Sequence, residues 1–153
     1  MANLDSCPRL HCIFRPEALL ARPTAHLDLF LVPPEVGPAA DAAVEARAAR
    51  RARGDDPLHV RCSSHRLDRP GTRVLYGNQV GGFHVTCSHC GAGLARAFEP
   101  FGLTPCTCGR ELPFEEVVCR PPAAVGWAAL VLMDVEEAVT VDPLGWSVVL
   151  RRR

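Results

Sequence analysis

The sequence predicts an α+β protein, a small mixed β-sheet with one Ala-rich helix and an embedded cysteine-rich β-hairpin. Short apolar runs such as 27–32 and 128–133, bounded by Pro or Gly, are typical of buried strands. Residues 39–53 have the composition and charge order of a helix, and four cysteines follow in two close pairs. These three observations define the fold class.

The first two elements are a strand and a helix. The run 27–32 is apolar and is ended by two prolines. In the helix 39–53, Pro38 fits the first position and the arginines crowd the last turn before Gly54, an order that complements the helix dipole.

Turn residues separate the remaining predicted strands. Residues 135–141 give conflicting helix and strand signals. We divide the chain into an N-terminal α+β part (1–82), the hairpin (83–112) and C-terminal strands that complete the core sheet (113–153). The further strands are expected at 58–62, 73–76, 83–86, 114–119, 128–133 and 146–150.

Composition restricts the classes of function. The 153 residues, 48% hydrophobic and 22% charged, are typical of a globular chain that can bury a core. All 17 basic side chains are Arg, so a catalytic lysine or a P-loop is excluded. A net charge of zero does not favour a dedicated nucleic-acid binder. The abundant Arg, Ala, Gly and Pro indicate GC-rich coding, and we expect a bacterial source.

The N-terminus has no basic segment followed by an apolar run, and no stretch is long enough to span a bilayer. We therefore expect a cytoplasmic protein without membrane contact. Thiols stay reduced in that compartment, which favours metal ligation over disulfides.

The two cysteine pairs predict one metal site. Cys87 and Cys90 form a C-x2-C pair, and Cys106 and Cys108 form a C-x-C pair. Zn²⁺ prefers four N or S ligands at tetrahedral corners, and two tight turns supply them. Each pair is followed by Gly, which allows the chain to turn back toward the sulfurs.

This arrangement resembles the zinc ribbon, a β-hairpin metal module, over about residues 83–112. The resemblance implies a structural Zn²⁺ and no particular activity. The C-x-C pair departs from the usual C-x2-C, so Cys119 or His89 is an alternative ligand. Four thiolates also suit iron, which would colour the protein red.

A second zinc site is a further hypothesis. Cys7, Cys12, Cys62 and His65 would complete a Cys3His set that links the N-terminal segment to a mid-chain turn. The alternative is that the cysteines are small buried apolar residues and His65 is solvated.

No common catalytic constellation is present, so we expect no enzyme and no small-molecule substrate. A nucleophilic Cys119 paired with His84 or His89 is less consistent with the strand pattern than a core cysteine. A zinc ion held by four thiolates has no open position at which to activate water.

We therefore expect an accessory subunit that binds another protein. Phe98 and Phe101 lie between the two cysteine pairs and are candidate interface anchors, unless they pack over the metal. Nucleic-acid binding is the alternative, through the helix arginines. A thiol redox switch at the cysteine pairs is a further alternative. The arginines concerned are Arg47, Arg50, Arg51 and Arg53.

Overall fold

A four-stranded antiparallel sheet lies at the centre of the computed structural model, which describes residues 26–78 and 84–153. The strand order in this sheet is β10-β1-β9-β2. The elements in chain order are β1 (Leu27–Val32), α1 (Pro38–Ala52), β2 (Ser64–Asp68), β3 (Val74–Tyr76), β4 (His84–Cys87), β5 (Thr104–Pro105), β6 (Glu111–Leu112), a 3-10 turn (Phe114–Glu116), β7 (Val117–Arg120), β8 (Ala124–Gly126), β9 (Ala129–Met133) and β10 (Ser147–Arg152).

The predicted α+β class, with one Ala-rich helix and an embedded cysteine hairpin, is confirmed. Every strand pairing within the described ranges is antiparallel, so the sheet is not of the mixed type. Strand β1 pairs with both β10 and β9, and β2 pairs with β9. Strands from both ends of the described chain therefore form the central sheet.

Both faces of the central sheet are covered. Leu29 and Leu31 of β1 point toward α1, whereas Phe30 and Val32 point toward the two-stranded sheet β3-β8. Because side chains alternate along a strand, only a strand that is buried on both faces is apolar throughout. This arrangement explains the continuous run LDLFLV of β1, in which even Asp28 is buried.

Helix α1 packs on the first face through its small side chains. Ala40, Val44 and Ala48 recur at helical spacing and belong to the same apolar cluster as the leucines of β1. The helix begins and ends one residue earlier than predicted, with Pro38 at its first turn. No helix in the described part of the chain is long and apolar enough to cross a membrane.

The predicted strand at 58–62 is wrong. Leu58 and Val60 do bury their side chains under the helix, which produces the alternating pattern. Their carbonyls, however, accept hydrogen bonds from the Arg51 guanidinium at 2.9 and 3.0 Å instead of pairing with a neighbouring strand. The strand forms later, as the polar β2 at the edge of the sheet.

Three smaller differences concern the C-terminal half. The predicted strand 114–119 begins with the 3-10 turn and continues as β7, which pairs with β4 beside the cysteines. Residues 135–141 form neither helix nor strand. Strand β8 was not predicted, because its three residues AVG carry too short a pattern.

Gly126 allows the β3-β8 sheet to approach β1 closely. A Cβ atom added at Gly126 would overlap the Cγ1 atom of Val32, a buried and β-branched side chain that cannot turn away. We expect Gly126→Ala to lower the free energy of unfolding by about 1–3 kcal/mol, as overpacked cores do. Gly93→Ala is the matched control, since its added methyl group meets nothing within 4 Å. Equal urea midpoints for the two variants would contradict this packing.

Candidate metal centre

The structure brings four cysteine sulfurs together. The Sγ atoms of Cys87, Cys90, Cys106 and Cys108 all lie within 4.8 Å of one another, and they form the one group of metal-ligand side chains found in the described ranges. The sulfurs of Cys90 and Cys106 are 3.5 Å apart, far from the ~2.05 Å of a disulfide. A tetrahedron with Zn–S bonds of ~2.3 Å places its sulfurs roughly 3.8 Å apart, so the cluster has the dimensions of a metal site.

Two turns of different length hold the sulfurs in place. In the first turn, Gly91 N–H donates to the carbonyl of Cys87, four residues back, at 2.9 Å. In the second, Gly109 N–H donates to the carbonyl of Cys106, three residues back, at 3.0 Å. The C-x-C pair thus closes a turn that is one residue tighter, which explains how it brings both its cysteines to the cluster.

Both turns depend on glycine in the left-handed region. Gly91 has φ 74° and Gly109 has φ 87°. A side chain at either position would strain the backbone, because L-residues avoid positive φ. The glycine that follows each cysteine pair is therefore part of the site.

The cluster is buried on one side and open on the other. Cys87 and Cys106 are buried, whereas Cys90 and Cys108 are exposed. The buried side rests on an apolar core that belongs to the hairpin and to β7. We call residues 84–120, which comprise the cysteine hairpin and β7, the cysteine module. Its apolar core also includes Val85, Leu94, Leu112 and Val117.

The sulfurs shift one another's pKa values. The pKa of Cys106 is lowered to about 7, first because the backbone N–H of Cys108 donates to its sulfur and then because neighbouring thiols do so. The backbone N–H of Ala92 acts to lower the pKa of Cys90, but the Cys106 sulfur and burial raise it to about 11. Burial acts to raise the pKa of Cys87, yet backbone N–H donors hold it below its usual value. The thiolate, which is the form that binds metals, is therefore favoured at Cys87 and Cys106 but not at Cys90.

The two alternative ligands lie outside the sulfur cluster and make other contacts. The Nε2 atom of His89 lies 3.1 Å from a carboxylate oxygen of Glu116, while its backbone N–H donates to the Cys87 sulfur at 3.3 Å. Cys119 lies opposite Val85 in the β4-β7 ladder, and burial raises the pKa of its thiol. Neither belongs to the sulfur cluster. The sequence did not indicate the contact between His89 and Glu116.

Only two of the four residues of the hypothetical second zinc site lie within the part of the chain that the structure describes. Cys7 and Cys12 lie outside the described residues. Cys62 is half-buried against the helix-side core, and His65 is exposed on β2 opposite Leu132. The second zinc site therefore stays a prediction.

The two candidate aromatic anchors have different surroundings. Phe98 packs on the core of the cysteine module, with its ring centroid 6.3 Å from that of Phe114. Phe101 is 45% exposed, and the neighbouring Leu103 is 52% exposed. The Arg73 guanidinium lies over the Phe101 ring and donates to its carbonyl at 3.1 Å, a contact that the sequence did not indicate.

The helix arginines are occupied by contacts within the chain. Arg47 is 2% exposed and lies in the interior, so its prediction as a nucleic-acid-binding residue on the surface is wrong. Arg51 binds the carbonyls described above, and Arg50 donates to the carbonyl of Asp55. Arg53 pairs with the Asp55 carboxylate at 3.2 Å. Arg47 is therefore not available to a surface ligand, and nucleic-acid binding through Arg50, Arg51 and Arg53 stays a prediction.

Comparison of the chain with protein-family models, with curated proteins and with solved structures finds no match. The function is therefore argued from the cysteine module and the surfaces around it.

Proposed function

We propose that the chain binds one Zn²⁺ through Cys87, Cys90, Cys106 and Cys108, and that this ion is structural. The observation that carries the proposal is the convergence of four thiols within 4.8 Å on two glycine-closed turns. Four thiolates fill the tetrahedral coordination of zinc and leave no position for water or substrate. The ion would therefore order the module without catalysing a reaction. A red protein would reassign the site to iron.

A metal is needed because the cysteine module has little other structure. Apart from the four-residue ladder of β4 with β7, its strands β5 and β6 contribute two residues each, and its apolar core contains few large side chains. Segments of this size rarely bury enough apolar surface to fold alone. Zinc binding supplies the missing free energy, as it does in small zinc domains.

We further propose that the module serves as a docking element of an accessory subunit that binds another protein. Phe101 and Leu103 are the large apolar side chains exposed on the loop between the two cysteine turns. Aromatic and apolar groups held on an ordered loop are typical interface anchors. Arg73, which directly precedes β3, holds this loop through the hydrogen bond that its guanidinium donates to the Phe101 carbonyl.

Phe101→Ser with Leu103→Ser is expected to abolish partner binding while zinc binding and the unfolding midpoint stay unchanged. The measurement is affinity capture from the native host with zinc-loaded protein, followed by quantitative mass spectrometry. Val141→Ser with Leu144→Ser is the matched control, because these residues are exposed apolar side chains elsewhere on the protein. If both double variants retain the same partners as the wild type, the loop is not the interface.

A further inference from the structure

A cleft of about 700 Å³ is lined by both the cysteine module and the sheets. One part of its lining comes from the module, residues 100–102 and 113–115. Another comes from residues 33–36, which follow β1, and a third from residues 123–127, which include β8. We call it the module cleft. Its volume lies in the range of sites that bind ligands or peptide segments.

The apolar lining of the module cleft is open to solvent. Val36 is 65% exposed and Phe101 is 45% exposed, and both line it. The exposed Pro34 and the half-buried Trp127 add further apolar surface. Exposed apolar side chains that share one concave surface indicate a binding site more often than scattered ones do.

The unpaired charges of the cleft are negative. Glu35 and Glu115 line it, and their side chains form no ion pair or hydrogen bond within the described ranges. Arg73 is the lining residue with a positive charge, and its guanidinium is held against the ring and carbonyl of Phe101. An occupant with Arg or Lys side chains would therefore complement the cleft.

The cleft also borders an incompletely paired strand. Strand β8 pairs with β3 on one edge and has no strand partner on its other edge within the described structure. An extended peptide gains main-chain hydrogen bonds when it aligns with such an edge.

We propose that the module cleft binds an extended segment of another protein, in which apolar side chains alternate with Arg or Lys. This inference rests on the proposed protein-binding function and specifies the chemistry of its partner. Apolar side chains of the segment contact Val36 and Phe101, and its basic side chains meet Glu35 and Glu115.

The test uses the zinc-loaded full chain and two labelled peptides of about twelve residues. One peptide alternates Val with Arg, and the other alternates Val with Glu. We expect the basic peptide to bind at least about tenfold more tightly by fluorescence anisotropy. Its binding should shift the backbone amide NMR signals of residues 35–36, 101–102 and 123–127. Equal affinities, shifts confined to other surfaces, or no binding at millimolar peptide would overturn the proposal.

Charge variants separate specific binding from general attraction. Glu35→Gln with Glu115→Gln should weaken binding of the basic peptide by about tenfold, whereas Glu136→Gln with Glu137→Gln, which alters two carboxylates elsewhere on the surface, should not. A concentration-dependent dimer that buries Val36 would mean that a second copy occupies the cleft, and would also overturn the proposal. Leu103 does not line the cleft, so the single variant Leu103→Ser separates the two proposals. If the peptides fail to bind while Leu103→Ser still abolishes capture of the host partner, the cleft assignment falls and the proposed function stands.

Discussion

Cys90→Ser is expected to eliminate the bound metal and to unfold the cysteine module. Serine is a poor zinc ligand, and three remaining thiolates leave the coordination incomplete. Because zinc binding provides the folding free energy of such modules, residues 84–112 should lose their dispersed amide NMR signals. The central sheet should stay folded, since the apolar clusters on its two faces share no residue with the core of the cysteine module.

Cys119→Ser is the matched control for this prediction. Cys119 also packs on the module core but lies outside the sulfur cluster. The control should retain about one zinc per chain by elemental analysis, and Cys90→Ser should retain almost none. Zinc retained in Cys90→Ser with an unchanged thermal midpoint would contradict the assignment. Two zinc ions per wild-type chain would support the second site with Cys62 and His65.

Arg47→Met is expected to cause the largest loss of stability in the central part of the protein. The guanidinium of Arg47 donates to Asp56 at 2.9 and 3.2 Å and to Asp142 at 2.7 and 2.6 Å, and it lies 4.6 Å from the Trp146 ring centroid. Asp56 and Asp142 are themselves buried. Removing the cation leaves two carboxylates buried without it, and such losses cost about 3–5 kcal/mol.

The thermal midpoint of Arg47→Met should fall by roughly 6–20 °C, at about 2–4 °C per kcal/mol for a chain of this size. Arg53→Met is the control, because Arg53 forms an exposed pair with Asp55 and should change stability by about 0.5 kcal/mol or less. A similar small change for both variants would show that the Arg47 network contributes no net stability.

The same network predicts sensitivity to acid. Burial acts to raise the pKa of Asp56, but the hydrogen bonds from Arg47 and from the Leu58 backbone hold it below its usual value. A lowered folded-state pKa stabilises the protein above the unfolded pKa of about 3.9 and stops doing so as the pH falls through the folded value. Wild-type stability should therefore decline below about pH 4, with a shallower slope in Arg47→Met.

The sequence was informative where one local pattern decided the structure. Strand β1 and helix α1 were predicted nearly to the residue, because an uninterrupted apolar run and a Pro-to-Gly segment with ordered charges are local signals. The four cysteines were grouped correctly from their spacing, and the structure brings their sulfurs together. Their glycines also adopt the expected positive φ.

The sequence was less informative where distant partners decided the structure. Arg47 was predicted to lie on the surface, yet its partner Asp142 is 95 residues away and invisible to a local pattern. Its spacing of three residues from Val44, on the same buried face, was a signal that could have indicated its position. The strand at 58–62 was mispredicted because Arg51, not another strand, binds its carbonyls. The module cleft is lined by residues from six separate segments of the chain and has no sequence signature.

X-ray absorption at the zinc edge of the purified wild-type chain tests the central claim most directly. The account predicts about one zinc per chain, surrounded by four sulfur atoms at ~2.3 Å and by no lighter ligand. A shell that contains oxygen or nitrogen in place of one sulfur would contradict the closed four-cysteine site, and so would a chain purified under reducing conditions that binds no metal.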